Sequence, residues 1–365
     1  IIVSLVGSEM CIRDSPYTVV LIIPTGIGAS IGGYAGDGLP VARAIAQTCD
    51  LLITHPNVLN GAQLYWSLPN ALYVEGYALD KFAEGWYGLQ PVHQNRVGLI
   101  LDQAIEPDLQ LRHLQAADAT RATLGLNLTD YIVSDFPLGV QLRQSKSGAS
   151  WGTIANPDSL LRAAHTLIHK AKAEAIAVVT RFPDEEGTTA LEEYRHAQGV
   201  DPLGGAEAVI SHLIVKTFQI PCAHAPALLP LPLDPNLSPR SAAEEIGYTF
   251  LPCVLVGLSR APQLVTLKEG LPLPNSIWAQ QVDAVVVPGT ACGGSAVISF
   301  SQTKAQIIAV RENKTKMQVS PETLGINALE VNSYLEVLGV LVAHRAGISP
   351  KALRPKISSL PRIQY

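Results

Sequence analysis

The 365-residue chain carries 26 Lys and Arg against 31 Asp and Glu, a formal net charge of −5, with 47% apolar and 16% charged residues. That balance suits a well-buried globular chain of one large or two smaller units and excludes a disordered one. Mild acidity without a basic block argues against nucleic acid or an anionic membrane as partner, and no apolar run reaches the roughly 18 to 20 residues that a membrane helix needs.

Residues 4–15, SLVGSEMCIRDS, break every apolar period and back-translate to a transposase adapter of the kind used in sequencing libraries. They are set aside as non-native together with residues 1–3. A signal peptide is not expected there, because no basic stretch precedes the short apolar run and no cleavage site follows. Beyond the adapter, Cys49, Cys222, Cys253 and Cys292 are scattered, with no C-x-x-C pair. Neither a zinc ribbon nor a disulfide scaffold is indicated, no metal is expected, and a reducing cytoplasmic compartment is the default.

Continuous Val/Ile/Leu runs follow at 18–23, 51–54, 97–101, 175–179, 253–258, 284–287 and 307–310. Such runs suit parallel strands buried on both faces. Helical patterns at 39–49, 108–126, 157–175, 204–218 and 330–347 alternate with them. The expectation is an α/β fold with a mostly parallel, doubly wound sheet in two Rossmann-like lobes. The polar, glycine-containing stretch 143–157 is the expected boundary, dividing an N-terminal lobe (16–150) from a C-terminal one (151–365). A short helix within 238–250 carries Arg240 and Glu244 as an i, i+4 pair. The proline-rich stretch 222–240 is long for a connection, and long loops often serve as lids or binding loops.

Two strand–glycine-loop–helix units stand out. In the first, TGIGASIGGYAGDG (25–38), Thr25, Gly26, Gly28, Gly32, Gly33 and Asp37 can bring backbone amides around an anion. It lacks the Gly-Lys-Ser/Thr of a phosphate loop, its third glycine falls one residue late for a dinucleotide fingerprint, and His55 replaces the acidic residue after the second strand. NAD is therefore not expected, and no cofactor is assigned. In the second, PGTACGGS (288–295), Gly289, Thr290, Gly293, Gly294 and Ser295 repeat the layout, and Cys292 sits where a helix N-terminus would favour its thiolate. His55, Asn57 and Asn60 follow the second strand, Glu312 and Asn313 the last one, and Arg181, Asp184 and Glu185 another, so one sheet edge gathers a polar rim. His55 and Glu312 are the acid–base candidates. Glu207, Ser211, His212, Cys222 and His224 form a further group whose spacing matches no standard zinc pattern.

The segments VLIIPTGIGASIGGYAGD, LITHPNVLNGA, DPLGGAEAVISHLI, PCAHAPAL, AAEEIGYTFLPCVLVGLSRAPQ and VVVPGTACGGSAV together resemble the domain of unknown function 3326 family, from about Tyr17 to Gly347. The resemblance implies no reaction, cofactor or catalytic residue. From the residues, the leading expectation is an enzyme binding a small anionic or phosphorylated metabolite between the glycine loops. The rivals are a Cys292-dependent hydrolase or transferase and a non-catalytic metabolite-binding protein.

Overall fold

The computed structural model describes residues 15–363 apart from 35, 62–63, 185–186, 247–249 and 269; residues 1–14, within the stretch expected to be non-native, and Glu185 lie outside the described residues. In chain order the strands are β1 (Thr18–Leu21), β2 (Leu51–Thr54), β3 (Ala71–Tyr73), β4 (Gly88–Gln90), β5 (Val97–Leu101), β6 (Leu128–Val133), β7 (Val140–Gln144), β8 (Ser150–Ile154), β9 (Ala175–Arg181), β10 (Cys222–Ala227), β11 (Gln263–Val265), β12 (Val282–Pro288), β13 (Gln306–Val310) and β14 (Ala328–Val331). The helices are α1 (Leu39–Ala46), α2 (Pro56–Leu59), α3 (Gly76–Ala83), α4 (Pro107–Leu124), α5 (Pro157–Lys170), α6 (Thr189–Arg195), α7 (Gly204–Phe218), α8 (Ala242–Ile246), α9 (Phe250–Ser259), α10 (Ser295–Phe300) and α11 (Tyr334–Arg345). Proline opens α2, α4 and α5, where its missing N–H leaves no helical bond unmade.

Two parallel sheets carry the fold, which is a doubly wound α/β architecture. The first has six strands in the order β14-β13-β12-β1-β2-β3, the second four in the order β10-β9-β5-β6. The first sheet takes its strands from both ends of the chain and the second from the middle, so strands from either side of residue 150 share each sheet. The stretch 143–157, expected to be a linker, is largely the antiparallel β7–β8 hairpin, which packs on α7. The run 253–258, expected to be a strand, lies within α9; apolar all round, it is buried as a helix against β9 and β10. A short continuous apolar run fits either state, and here burial of every face decided for helix.

Strand parity builds two cores. Val19, Leu21 and Ile23 face one, with α1, α9 and α11; Val20 and Ile22 face the other, with α3, α5, α7 and α10. Strands of both sheets enter each core, which joins the sheets in common layers.

Counted within the first sheet alone, the strand order turns back between β1 and β12. β1 is followed outward by β2 and β3, and β12 in the opposite direction by β13 and β14. That junction is the switch point of an open parallel sheet, where chains leaving neighbouring strand ends part and open a crevice. Both glycine loops leave from it. The first is held from behind by the loop after β13. Asn313, wholly buried, accepts from Ile31 N–H (3.0 Å) and donates to Ile31 C=O (2.9 Å) and to the Tyr334 hydroxyl (2.7 Å). Ser30 N–H donates to Lys314 C=O and Lys316 N–H to Ile27 C=O. Replacing Asn313 with Ala strands these groups, so urea unfolding should show a loss of about 2–4 kcal/mol.

Candidate functional site

The C-terminal ends of both sheets open on one cavity of about 1370 Å³. The first sheet contributes Thr25 after β1, His55, Asn57 and Asn60 after β2, Glu75 after β3, and Gly293, Gly294 and Ser295 after β12. The second contributes Asp184 after β9 and the segment after β10, while α3, α4 and α7 close the sides. Ligands bind at this end of parallel sheets because diverging chains leave a crevice there.

A chain of polar contacts crosses the cavity lining. Glu75 is 5% exposed and caps α3, accepting from Ala78 N–H (3.1 Å). Its Oε1 lies 2.9 Å from His212 Nε2 and 3.4 Å from Ser211 Oγ. Ser211 Oγ is 3.3 Å from His224 Nδ1, and His224 Nε2 is 3.3 Å from Glu207 Oε2. Glu207, Ser211 and His212 come from one stretch of α7, His224 from β10, and Glu75 from the edge of the other sheet. Burial alone would lower the His212 pKa, but the Glu75 hydrogen bond and the charges of Glu75 and Asp80 more than offset it, leaving the ring above its ordinary value. Asp80, on α3, accepts from Ala296 N–H (3.0 Å) at the start of α10, and burial pushes its carboxyl up.

Seven carboxylates line the cavity, those of Glu75, Asp80, Asp184, Asp201, Glu207, Asp234 and Glu245, against Arg112 as the one lining Lys or Arg among the described residues. Of these, Asp184 pairs with Arg181 (2.8 Å), Glu245 with Arg195 (2.9 Å) and Glu75 with His212 (2.9 Å).

Of the residues singled out in the sequence, Thr25, His55, Asn57, Asn60, Gly293, Gly294 and Ser295 reach the cavity. The space beside Gly294 is open. Gly26, Gly28, Gly32 and Gly33 do not line it. Gly26 has φ +67°, and a Cβ there would meet Ser150 Oγ, whose own N–H donates to Gly26 C=O. Gly28, Gly32 and Gly33 pack on Val200, Ile23 and Ala29. These glycines let the β7–β8 hairpin and the loop itself close together. Gly205 opens α7 against the backbone of Ser150 and Trp151, a close approach that a side chain would block. Asn57 donates to Ile23 and Gly32 C=O, and Asn60 accepts from the Tyr73 hydroxyl. Asp37 pairs with Arg240 (2.8 Å). Gly289 N–H donates to Val310 C=O, and Thr290 bonds Thr315.

The three residues expected to be catalytic have other work. His55 Nε2 accepts from Ile23 N–H (2.9 Å), so its proton sits on Nδ1, and burial lowers its pKa to about 4. Glu312, exposed outside the cavity, accepts from Tyr334 N–H (2.9 Å) at the start of α11. Cys292 is wholly buried, and burial together with Glu322 and Glu330 raises its thiol to about 11. It does not line the cavity, and its sulfur faces Pro288 and Gly289 C=O. Glu75 and Asp80, central to the site, carry no local sequence signal.

Among the described residues, one grouping has ligand atoms close enough for a cation: Glu192, His196 and Asp234. There Asp234 already faces His196 (3.0 Å) and Glu192 faces Arg195 (3.5 Å). No described helix is long and apolar enough to cross a membrane.

A family model described as a protein of unknown function, DUF3326, matches residues 18–354. An uncharacterized lipoprotein of Synechococcus sp. is 59% identical over 338 residues, covering 93% of this chain and 93% of the relative. No solved structure matches the chain.

Two outcomes follow from the site chemistry. Cys292 should stay unmodified by iodoacetamide at pH 8 in the folded protein and become labelled in urea, read by mass spectrometry. His55 binds its proton less tightly folded than unfolded. Its contribution is therefore complete above pH 6.5 and is lost as pH falls towards 4, by up to about 3 kcal/mol. A His55→Gln variant, which keeps an acceptor for Ile23, should lack that part of the wild-type decline in urea melts at pH 7, 5.5 and 4.5.

Proposed function

The chain belongs to the DUF3326 family, and from that premise we propose that it is an enzyme that binds a small organic molecule between its two sheets and transfers protons to and from it. The observation that supports this most is the run of close polar contacts His212–Glu75–Ser211–His224–Glu207 at the joint C-terminal edge of the sheets. Hydrogen-bonded imidazoles and carboxylates can take a proton at one place and return it at another, as isomerisation or elimination requires. Glu75 favours the charged form of His212, from which a proton can be given. A ring of polar groups serving only to hold the fold would not need to face a cavity of this size.

The buried, protonated thiol of Cys292 does not support the thiol-dependent reading. The lipoprotein name of the Synechococcus relative supports an anchored location outside the cytoplasm, in place of the cytoplasmic one expected from the cysteines.

The test uses compounds that raise the melting temperature in a thermal-shift screen of small amines, alcohols and carboxylates. Each is incubated with the protein in D2O and followed by proton NMR. At least one should take up deuterium at carbon, and His224→Asn should slow this about 100-fold or more while leaving melting of the free protein little changed. Binding without exchange in any compound would leave a binding protein and remove the catalytic reading.

A further inference from the structure

One wall of the cavity is built from the segment after β10. Prolines at 230, 232 and 235 bar it from forming a helix that could turn its leucines onto the core. It is instead clasped from outside. Arg195 donates to Pro232 C=O (2.7 Å) and pairs with Glu245 (2.9 Å), His196 faces Asp234 (3.0 Å), and Ser238 N–H donates to Arg195 C=O (3.0 Å). Held this way, Leu228, Leu229, Leu231 and Leu233 line the cavity, joined by Leu109 and Phe250 from the neighbouring helices. Leu229 is 49% exposed and Leu233 fully exposed. Apolar side chains fixed over a void are costly in water and are stabilised by an apolar guest. The void, about 1370 Å³, exceeds the roughly 300–1,000 Å³ of drug-sized sites. Elsewhere in the lining Asp80 and Glu75 supply carboxylates, and Asp80 has only the Ala296 N–H as a hydrogen-bond donor among the described contacts.

We infer that the ligand of this cavity is a single-tailed amphiphile with a protonated amine head, its tail beneath the leucine segment and its head against Asp80 and Glu75. The inference rests on the reading of the cavity as the substrate site. The acidic lining selects a cation over an anion, and the leucines reward chain length.

Hexylamine, octylamine, decylamine, decanol and decanoate, each below its micelle-forming concentration, are titrated into the full chain by calorimetry. Affinity for the amines should rise about threefold to fourfold per added methylene. Decylamine should bind at least 10-fold more tightly than decanoate. Asp80→Asn keeps an acceptor for Ala296 and should weaken decylamine about 10-fold without changing decanol. Leu229→Asp, at a half-exposed position that the fold tolerates, should weaken both. Equal or tighter binding of decanoate, or an Asp80→Asn variant that keeps the amine preference, overturns the head assignment. Affinity independent of chain length overturns the tail assignment. In both cases exchange of deuterium into other bound compounds would leave the catalytic reading standing, whereas absence of binding by every probe removes the cavity as a site and both proposals with it.

Discussion

A carboxylate kept almost out of water, that of Glu75, is the joint on which the site depends. Burying such a group is costly unless every lone pair finds a donor. Glu75 takes three polar contacts, two of them from distant parts of the chain. The first turn of α3 supplies Ala78 N–H, and α7 supplies His212 and Ser211. Ser211 passes the connection to His224 on β10. One buried charge thus ties the edge strand of the first sheet to the edge strand of the second, at the end where both sheets open. Removing a partner leaves a buried carboxylate oxygen without its donor, which is costly.

The position of the cavity follows from strand order. The switch between β1 and β12 sends the two following chains apart, and the second sheet, inserted between β3 and β12 in sequence, brings its own strand ends to the same side. The glycine loops at the switch divide the labour. The first is a packing device, closed over by the β7–β8 hairpin, α7 and Asn313. The second reaches the cavity through Gly293, Gly294 and Ser295, but Asp80 already occupies an amide at the start of α10. Negative charge therefore stands where glycine loops elsewhere receive it from a ligand.

Much of this was legible in the residues. Apolar runs without alternation announced parallel strands covered on both faces, and the two glycine loops do lie on neighbouring strands. The 253–258 run misled because a fully buried helix and a buried strand share one pattern. The hairpin at 140–154 was hidden because its strands are polar and half exposed, with little periodicity to read. Glu207, Ser211, His212 and His224 drew notice as a group, but their meaning waited on a carboxylate 136 residues before Ser211. Glu75 follows a strand of three residues, too short to carry a pattern, and its burial arises only when α7 closes over it.

The most direct measurement is the titration of His212 by NMR in the wild type and in Glu75→Gln. A midpoint above the ordinary 6.5 that drops when the carboxylate becomes an amide would establish the buried pair at the joint of the sheets. A wild-type midpoint at or below 6.5, or one that Glu75→Gln leaves unmoved, would contradict it.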